Sequence, residues 1–210
     1  RAVLDAFSDA LLGQLGARAS DRICGDLLRL AAAVGPFRPD LASFRDAASA
    51  FLDVRREELQ VALDEMEKAG VFLRRGRTLR ITPDVLADHV LEEACFAHDG
   101  TPTDYALRVH ASLSTVAPGA LLRNLAELDW RRYRSGASGA GEHLLRGIWK
   151  EMEVELRSAG AARKIELIRE VAAVAYYQPG PALRLVRIAL DPSPGTVREA
   201  QASEWPALLR

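Results

Sequence analysis

Residues 55–83 constrain the fold more than any other part of the chain, because one local pattern specifies a helix, a stop and a hairpin in succession. In RREELQVALDEMEKAG, Leu59, Leu63 and Met66 recur at helical spacing with Ala62 beside them. That spacing predicts one apolar face on an otherwise charged helix. Gly70 stands where such a helix needs a left-handed closing residue. VFLRRGRTLRIT then reads as two short strands around Gly76-Arg77, with glycine at the first loop position as a type II′ turn requires.

The flanking segments complete a small domain. Leu4, Phe7, Leu11 and Leu15 keep helical spacing, so residues 1–16 are expected to be an amphipathic helix. Asp21 is placed to cap a second helix whose apolar face holds Ile23, Leu27, Leu28 and Ala31. Gly35-Pro36 and Pro39 end it. A third helix is expected from about Leu41 to Leu52, with Phe44, Ala47, Ala48 and Phe51 on its apolar side and Asp53 set to cap the helix after it. Past the hairpin, Thr82-Pro83-Asp84 predicts a helix start, with threonine as cap, proline in the first turn and aspartate at the positive dipole end. Val85, Leu86, Val90, Leu91, Ala94 and Cys95 would pack that helix back on the others. Three helices, a hairpin and a closing helix over residues 20–98 make a winged helix-turn-helix domain, with residues 1–19 as a helix preceding it.

Beyond His98-Asp99-Gly100 the strand signals vanish. Residues 104–113, 118–134, 141–158, 161–177, 181–190 and 195–209 read as helices, punctuated by Pro118-Gly119, SGASGAG at 135–141, Gln178-Pro179-Gly180-Pro181 and Asp191-Pro192-Ser193-Pro194-Gly195. Leu121-Leu122-Arg123 and Leu144-Leu145-Arg146 open similar helices. Consecutive helices with short breaks predict antiparallel pairs stacked as a solenoid-like helical array over residues 101–210. The fold class expected is therefore mainly α, a winged helix-turn-helix domain with one β-hairpin followed by that array.

Composition excludes several functional classes. The 28 Lys and Arg balance 29 Asp and Glu, so no global field draws the chain to nucleic acid or a membrane surface. No apolar run is long enough to span a bilayer, and no secretory signal is present. Cys24 and Cys95 lie within apolar helical patterns and are expected to be buried reduced thiols, which fits a cytoplasmic setting. The chain starts at Arg1 rather than Met, as expected for a segment of something longer.

Catalytic signatures are missing. There is no Walker A string, and the glycines at 136, 139 and 141 have neither a preceding strand nor a following Lys-Ser/Thr, so they read as a linker. There is no Gly-x-Ser-x-Gly elbow. Cys95 and His98 are spaced to share a helix face, but His89 is offset and no fourth ligand is at hand, so core thiol and surface histidines are expected instead of zinc. Catalytic, cofactor and metal residues are accordingly all read as none.

Two surfaces remain. Helix 55–69 carries three bases, Arg55, Arg56 and Lys68, against five acids, Glu57, Glu58, Asp64, Glu65 and Glu67, and would repel phosphates where a recognition helix meets DNA. Asp64, Glu65 and Glu67 read as a solvated face. The hairpin differs: Arg74, Arg75, Arg77 and Arg80 form a basic wing with no acid expected nearby. Guanidinium groups in such a cluster suit carboxylates of another protein as well as a nucleic-acid backbone. Gly100 and Pro102 form a candidate hinge between the hairpin domain and the helical array.

LLRLAAAVGPFRPD followed by ELQVALDEMEKAGVFLRRGRTLRITPDVLADHVL resembles the winged-helix segment of STAND-type P-loop ATPases, in particular bacterial ones from defence systems. The resemblance covers roughly residues 20–98, and the helical remainder is similar to the C-terminal superhelical sensor of those proteins. It implies that residues 1–19 are the tail of a helical lid and that the segment relays between nucleotide core and sensor. The implied partners are the ATPase core or neighbouring subunits and a protein trigger. Many members carry Met-His-Asp at the end of the wing; here Thr82-Pro83-Asp84 stands there, and Pro83 has no side-chain donor, so no nucleotide contact is assigned. The alternative is a DNA-binding transcription regulator whose helical part dimerises or senses a ligand. A third reading is a passive protein-contact adaptor.

Overall fold

The computed structural model describes residues 21–136 and 143–190. The helices expected over 1–16 and 195–209, and most of the SGASGAG loop, lie outside those residues. Among the described residues are nine α-helices and one two-stranded antiparallel sheet. They belong to two compact units divided between Leu144 and Leu145.

The first unit is organised around α1 (Asp21–Val34). Cys24, Leu27 and Leu28 are buried on one face while Asp21, Arg22 and Arg29 are exposed, but Leu30, Ala31, Ala32, Ala33 and Val34 are all buried, so the end of this helix needs partners on every side. It finds them in α2 (Ala42–Leu52), α3 (Arg56–Lys68), β2 (Thr78–Ile81), α4 (Asp84–Cys95), α5 (Tyr105–Leu113) and α6 (Pro118–Arg134). Burying one leucine such as Leu27 contributes about 1.5–3 kcal/mol. The helix stops where expected. The Gly35 N–H donates to the Ala31 carbonyl at 2.9 Å, and Asn124 of α6 donates to the Ala33 and Gly35 carbonyls at 3.0 and 2.8 Å. Without Asn124 those terminal carbonyls would lack a side-chain partner.

The step from α3 into the hairpin follows the expectation from the local sequence. Gly70 has φ 75°, its N–H donates to the Glu67 carbonyl, and the Val71 N–H donates to Met66, each at 3.0 Å. This is the Schellman pattern, sealed by the burial of both Val71 and Met66. β1 (Phe72–Arg75) then pairs antiparallel with β2 through a two-residue loop. Gly76 has φ 60° while Arg77 stays outside the left-handed region, as a type II′ turn needs. Phe37 adds a bridge on the far edge of β2, exchanging hydrogen bonds with Leu79 at 3.0 and 2.8 Å. Its ring stacks on Phe44 at 4.8 Å and meets Phe72 edge-on at 5.9 Å.

Three local expectations are corrected. Asp53 does not cap α3; it closes α2 in the left-handed conformation, φ 54°, donating its N–H to Ser49. Glu58 serves the start of α3 instead, accepting the Arg55 N–H at 2.9 Å. Thr82 does not cap α4; its N–H donates to the Val71 carbonyl at 2.9 Å in continuation of the ribbon, and Pro83, which has no side-chain acceptor, is the residue before the helix. Val85 is 58% exposed rather than part of the packed face.

α5 and α6 pack on α1 and α4, so the body that carries the hairpin runs through α6. Two arginines tie α6 to α4. Arg131 pairs with Asp88, and Arg132 donates to Glu92 at 2.5 Å while its guanidinium lies 3.9 Å from the Phe96 ring centroid.

The second unit contains α7 (Arg146–Ser158), α8 (Ala161–Ala172) and α9 (Pro179–Leu190), each packed on the other two. Trp149 donates its indole N–H to Gln178 at 2.7 Å in the buried centre, and Arg163 bridges Glu155 of α7 to Glu166 of α8. Helix bounds shift from the expected 141–158, 161–177 and 181–190. α8 ends at Ala172 because the chain tightens, with the Val174 N–H on Val171 and the Tyr177 N–H on Val174, both 3.0 Å. Pro179 starts α9 rather than breaking it, since a first-turn residue needs no N–H. No described helix is long and apolar enough to cross a membrane.

Replacing Gly70 by alanine keeps the turn but forces a Cβ into the left-handed region, and is expected to lower the unfolding free energy by about 1–2 kcal/mol. Asn124→Ala should cost about 1–3 kcal/mol through the orphaned α1 carbonyls. Urea denaturation of the two variants checks both, and parental midpoints would contradict this account of the termini.

Candidate interaction surface on the hairpin

The register of the ribbon sorts its side chains. Leu73 lies opposite Arg80 and Arg75 opposite Thr78, so these four share one face; Phe72, Ile81, Arg74 and Leu79 share the other. Phe72, Leu79 and Ile81 are buried against the body, which makes the first set the outer face. The four arginines expected to act together are therefore split between two faces and the turn.

Acids that the linear sequence keeps apart from the wing lie against it. Arg74 forms a two-pronged pair with Glu67 at the end of α3, with both bonds at 2.6 Å. Arg77, in the turn, donates through Nε to Asp40 at 2.9 Å, and Arg38 grips the same carboxylate from the other side at 2.9 and 3.2 Å. Arg80 approaches Asp84 at 3.7 Å. The expectation of a wing with no acid nearby is thus overturned. Its physical reason is the fold: Asp40 comes from the loop before α2, and Glu67 is brought level with β1 by the reversal at Gly70. Glu67 is also not merely a solvated face residue. Arg75 is exposed and has no ion pair within the described residues.

These pairs have an electrostatic signature. Hydrogen bonds from Arg38 and then Arg77 hold the Asp40 carboxyl well below the usual carboxylate range. Arg74 lowers Glu67 in the same way. Both are open to solvent, so each pair contributes little by itself; they fix where the hairpin lies rather than how stable the body is.

A comparison with protein-family models, curated proteins and solved structures matches none of them.

The candidate hinge residues sit between α4 and α5, inside the first unit. Gly100 has φ 86°, and Pro102 bridges Phe96. The Ala97 N–H reaches Thr101 at 2.9 Å, the Thr103 N–H reaches Cys95 at 2.8 Å, and the Thr103 hydroxyl reaches Ala94 at 2.7 Å.

Cys95 and His98 do not share a helix face, because α4 ends at Cys95 and Phe96 is extended. His98 is exposed, while His89 is buried rather than on the surface. Among the described residues no three His, Cys, Asp or Glu are grouped to hold a metal ion. Cys24 and Cys95 are free and buried, and desolvation pushes the Cys95 thiol up to about 12, which disfavours the thiolate.

Asp40 and Leu73 were not legible as parts of this surface. No spacing rule connects Asp40 to Arg77, and only the pairing register turns Leu73 outward.

The depressed carboxyl pKa values of Asp40 and Glu67 have a definite sign. Their contribution is present above the ordinary unfolded value of about 4 and is lost as pH falls through the folded values. Asp40→Asn is therefore expected to lower the melting temperature slightly at neutral pH and to have no effect in strong acid. A difference that persists or grows in acid would rule out the Arg38–Asp40–Arg77 cluster as its source.

Proposed function

We propose that this chain is a noncatalytic regulatory and interaction segment of a larger STAND-type signalling ATPase, relaying between a nucleotide core and a helical sensor. In this reading residues 20–98 form a winged helix. The order of three helices, ribbon and closing helix supports it, as does the Phe37–Leu79 bridge, which adds the short third strand position such domains use. The helices beyond residue 100, α5 to α9 among those described, would form the sensor as a solenoid-like array, receiving a protein trigger. The ATPase core or a neighbouring subunit is the partner of the hairpin, in the cytoplasm, where buried free thiols persist.

The observation that carries the protein-contact reading is the engagement of the wing arginines by the chain's own carboxylates. A wing that grips a phosphate backbone needs its cations available for counterion displacement. Arg74 and Arg77 are instead held by Glu67 and Asp40, and Glu57 and Asp64 are exposed along α3, where a recognition helix would face the groove. The DNA-binding regulator is disfavoured on the same grounds.

Duplex DNA titrated into the chain at low salt should show no more than background binding, with no steep salt slope, and the chain should hydrolyse no ATP. In the intact parent protein, Arg75→Glu should alter nucleotide turnover or assembly. Salt-dependent duplex binding lost on Arg75→Glu would favour the regulator, and a parent reading frame without a Walker A string would end the relay proposal.

A further inference from the structure

The last described helix buries only part of its apolar surface. Ala182, Leu185 and Ala189 of α9 are buried, and the helix packs on α7 and α8. Leu183, Val186 and Leu190 recur at helical spacing and form a second stripe beside the buried one. Leu183 is 60% and Leu190 48% exposed, and Val186 is half-buried. Arg184, which pairs with Glu153 of α7 at 3.4 Å, lies on the opposite side of Leu183 from Val186. The stripe is therefore turned away from α7.

The chain leaves α9 at Leu190, which is itself part of the stripe, and residues 191–210 follow. Asp191-Pro192-Ser193-Pro194 makes a connection of ordinary length between antiparallel helices. In the helix expected over 195–209, Val197, Trp205 and Leu208 recur at spacings that place them on one side, and Pro206 is expected to kink it near its end. A helix of that length is marginal alone in water and needs an apolar surface to lie on. Charge agrees with α9 as that surface. The charged residues of α9 are Arg184 and Arg187, whereas Asp191, Glu199 and Glu204 outnumber Arg198 between residues 191 and 205.

We propose that residues 195–209 turn back along α9 as an antiparallel helix and lay Val197 and Trp205 on Leu183, Val186 and Leu190, capping the helical array in cis. An array stacks by each helix pair covering its neighbour, so a face occupied in this way accepts neither a further pair nor a partner until the segment is displaced. The inference goes beyond the relay and does not depend on it. A second copy of the chain is a poor occupant, because two α9 faces brought together would set Arg184 and Arg187 of both copies in one interface without an acid from either helix.

The test uses the whole chain carrying 5-fluorotryptophan, in which Trp130, Trp149 and Trp205 each give one fluorine resonance. Loss of a signal in Trp205→Phe assigns that residue. The Trp205 resonance is expected away from the position of free 5-fluorotryptophan, and the double variant Leu183→Glu with Leu190→Glu should return it there. The Trp149 resonance, which reports the buried centre of the second unit, should stay in place, because both leucines are exposed. A nitroxide attached through Arg187→Cys reads the same contact without altering the stripe, and Cys24 and Cys95 are buried and leave the introduced thiol as the site of labelling. It should broaden the Trp205 resonance, and reduction of the nitroxide should restore it.

A Trp205 resonance at the free position in the parental chain overturns the proposal. So does one that ignores the leucine substitutions while Trp149 is unmoved. Where the substitutions also move Trp149, the nitroxide decides, and an unbroadened Trp205 resonance rejects the contact. Mixing nitroxide-bearing chain without fluorine with fluorinated chain without nitroxide separates the occupants: broadening in that mixture assigns the face to a second copy and overturns the cap in cis. These measurements need no parent protein, so the cap can fail while Arg75→Glu still alters the intact ATPase, and a missing Walker A string can defeat the relay while the cap holds.

Discussion

The first unit depends on the burial of one helix. α1 is amphipathic over its first half and buried on every side from Leu30 to Val34, and a stretch of that kind is stable only when surrounded. Every other described helix of the unit and β2 reach it. Its end is also a junction, because Asn124 satisfies the last carbonyls from the far side of the sequence. The small hairpin consequently does not stand by itself, as a two-stranded ribbon in water is only marginally stable. It is held by Phe72, Leu79 and Ile81 on the body and by Phe37 along its second edge.

Burial fixes the faces of the ribbon, and charge then sorts along them. Once Phe72 and Leu79 turn inward, period-two alternation obliges Leu73 and Arg75 to turn out. Arg74 and Arg77 fall at the rim, within reach of Glu67 and Asp40, and are neutralised there. On the outer face Arg80 lies 3.7 Å from Asp84, while Arg75 has no ion pair among the described residues. A cluster that looks uniform in sequence thus divides, with Arg74 and Arg77 paired to the chain's own carboxylates and Arg75 exposed.

The two units use different means to close their cores. The first relies on α1 and on arginines that span helices, with Arg132 over Phe96 and on Glu92. The described part of the second packs three helices around Trp149, whose indole N–H finds Gln178 just where the chain turns into α9. A buried indole donor needs such a partner, so the turn and the core specify each other. The proposed relay would give the winged helix nucleotide-side contact and the helical array beyond it trigger recognition.

Much of the architecture was written locally. Leu59, Leu63 and Met66 declare a helix by spacing, Gly70 ends it because only glycine takes that φ without strain, and Gly76 sets the turn. Gly35-Pro36 stops α1 for equally local reasons. Where a residue had two competing partners, local pattern was insufficient. Thr82 looked like a cap but continues the ribbon with its N–H on Val71, Asp53 looked like a beginning and is an ending, and Val85 matched an apolar stripe but faces solvent. The pairing of Arg77 with Asp40 joins residues whose proximity only folding creates, and no spacing encodes it. By itself the sequence determined the elements, because backbone preference and hydrophobic period act over a few residues. Only the tertiary structure decided which arginines are paired and which stays exposed, because that depends on what distant segments bring alongside.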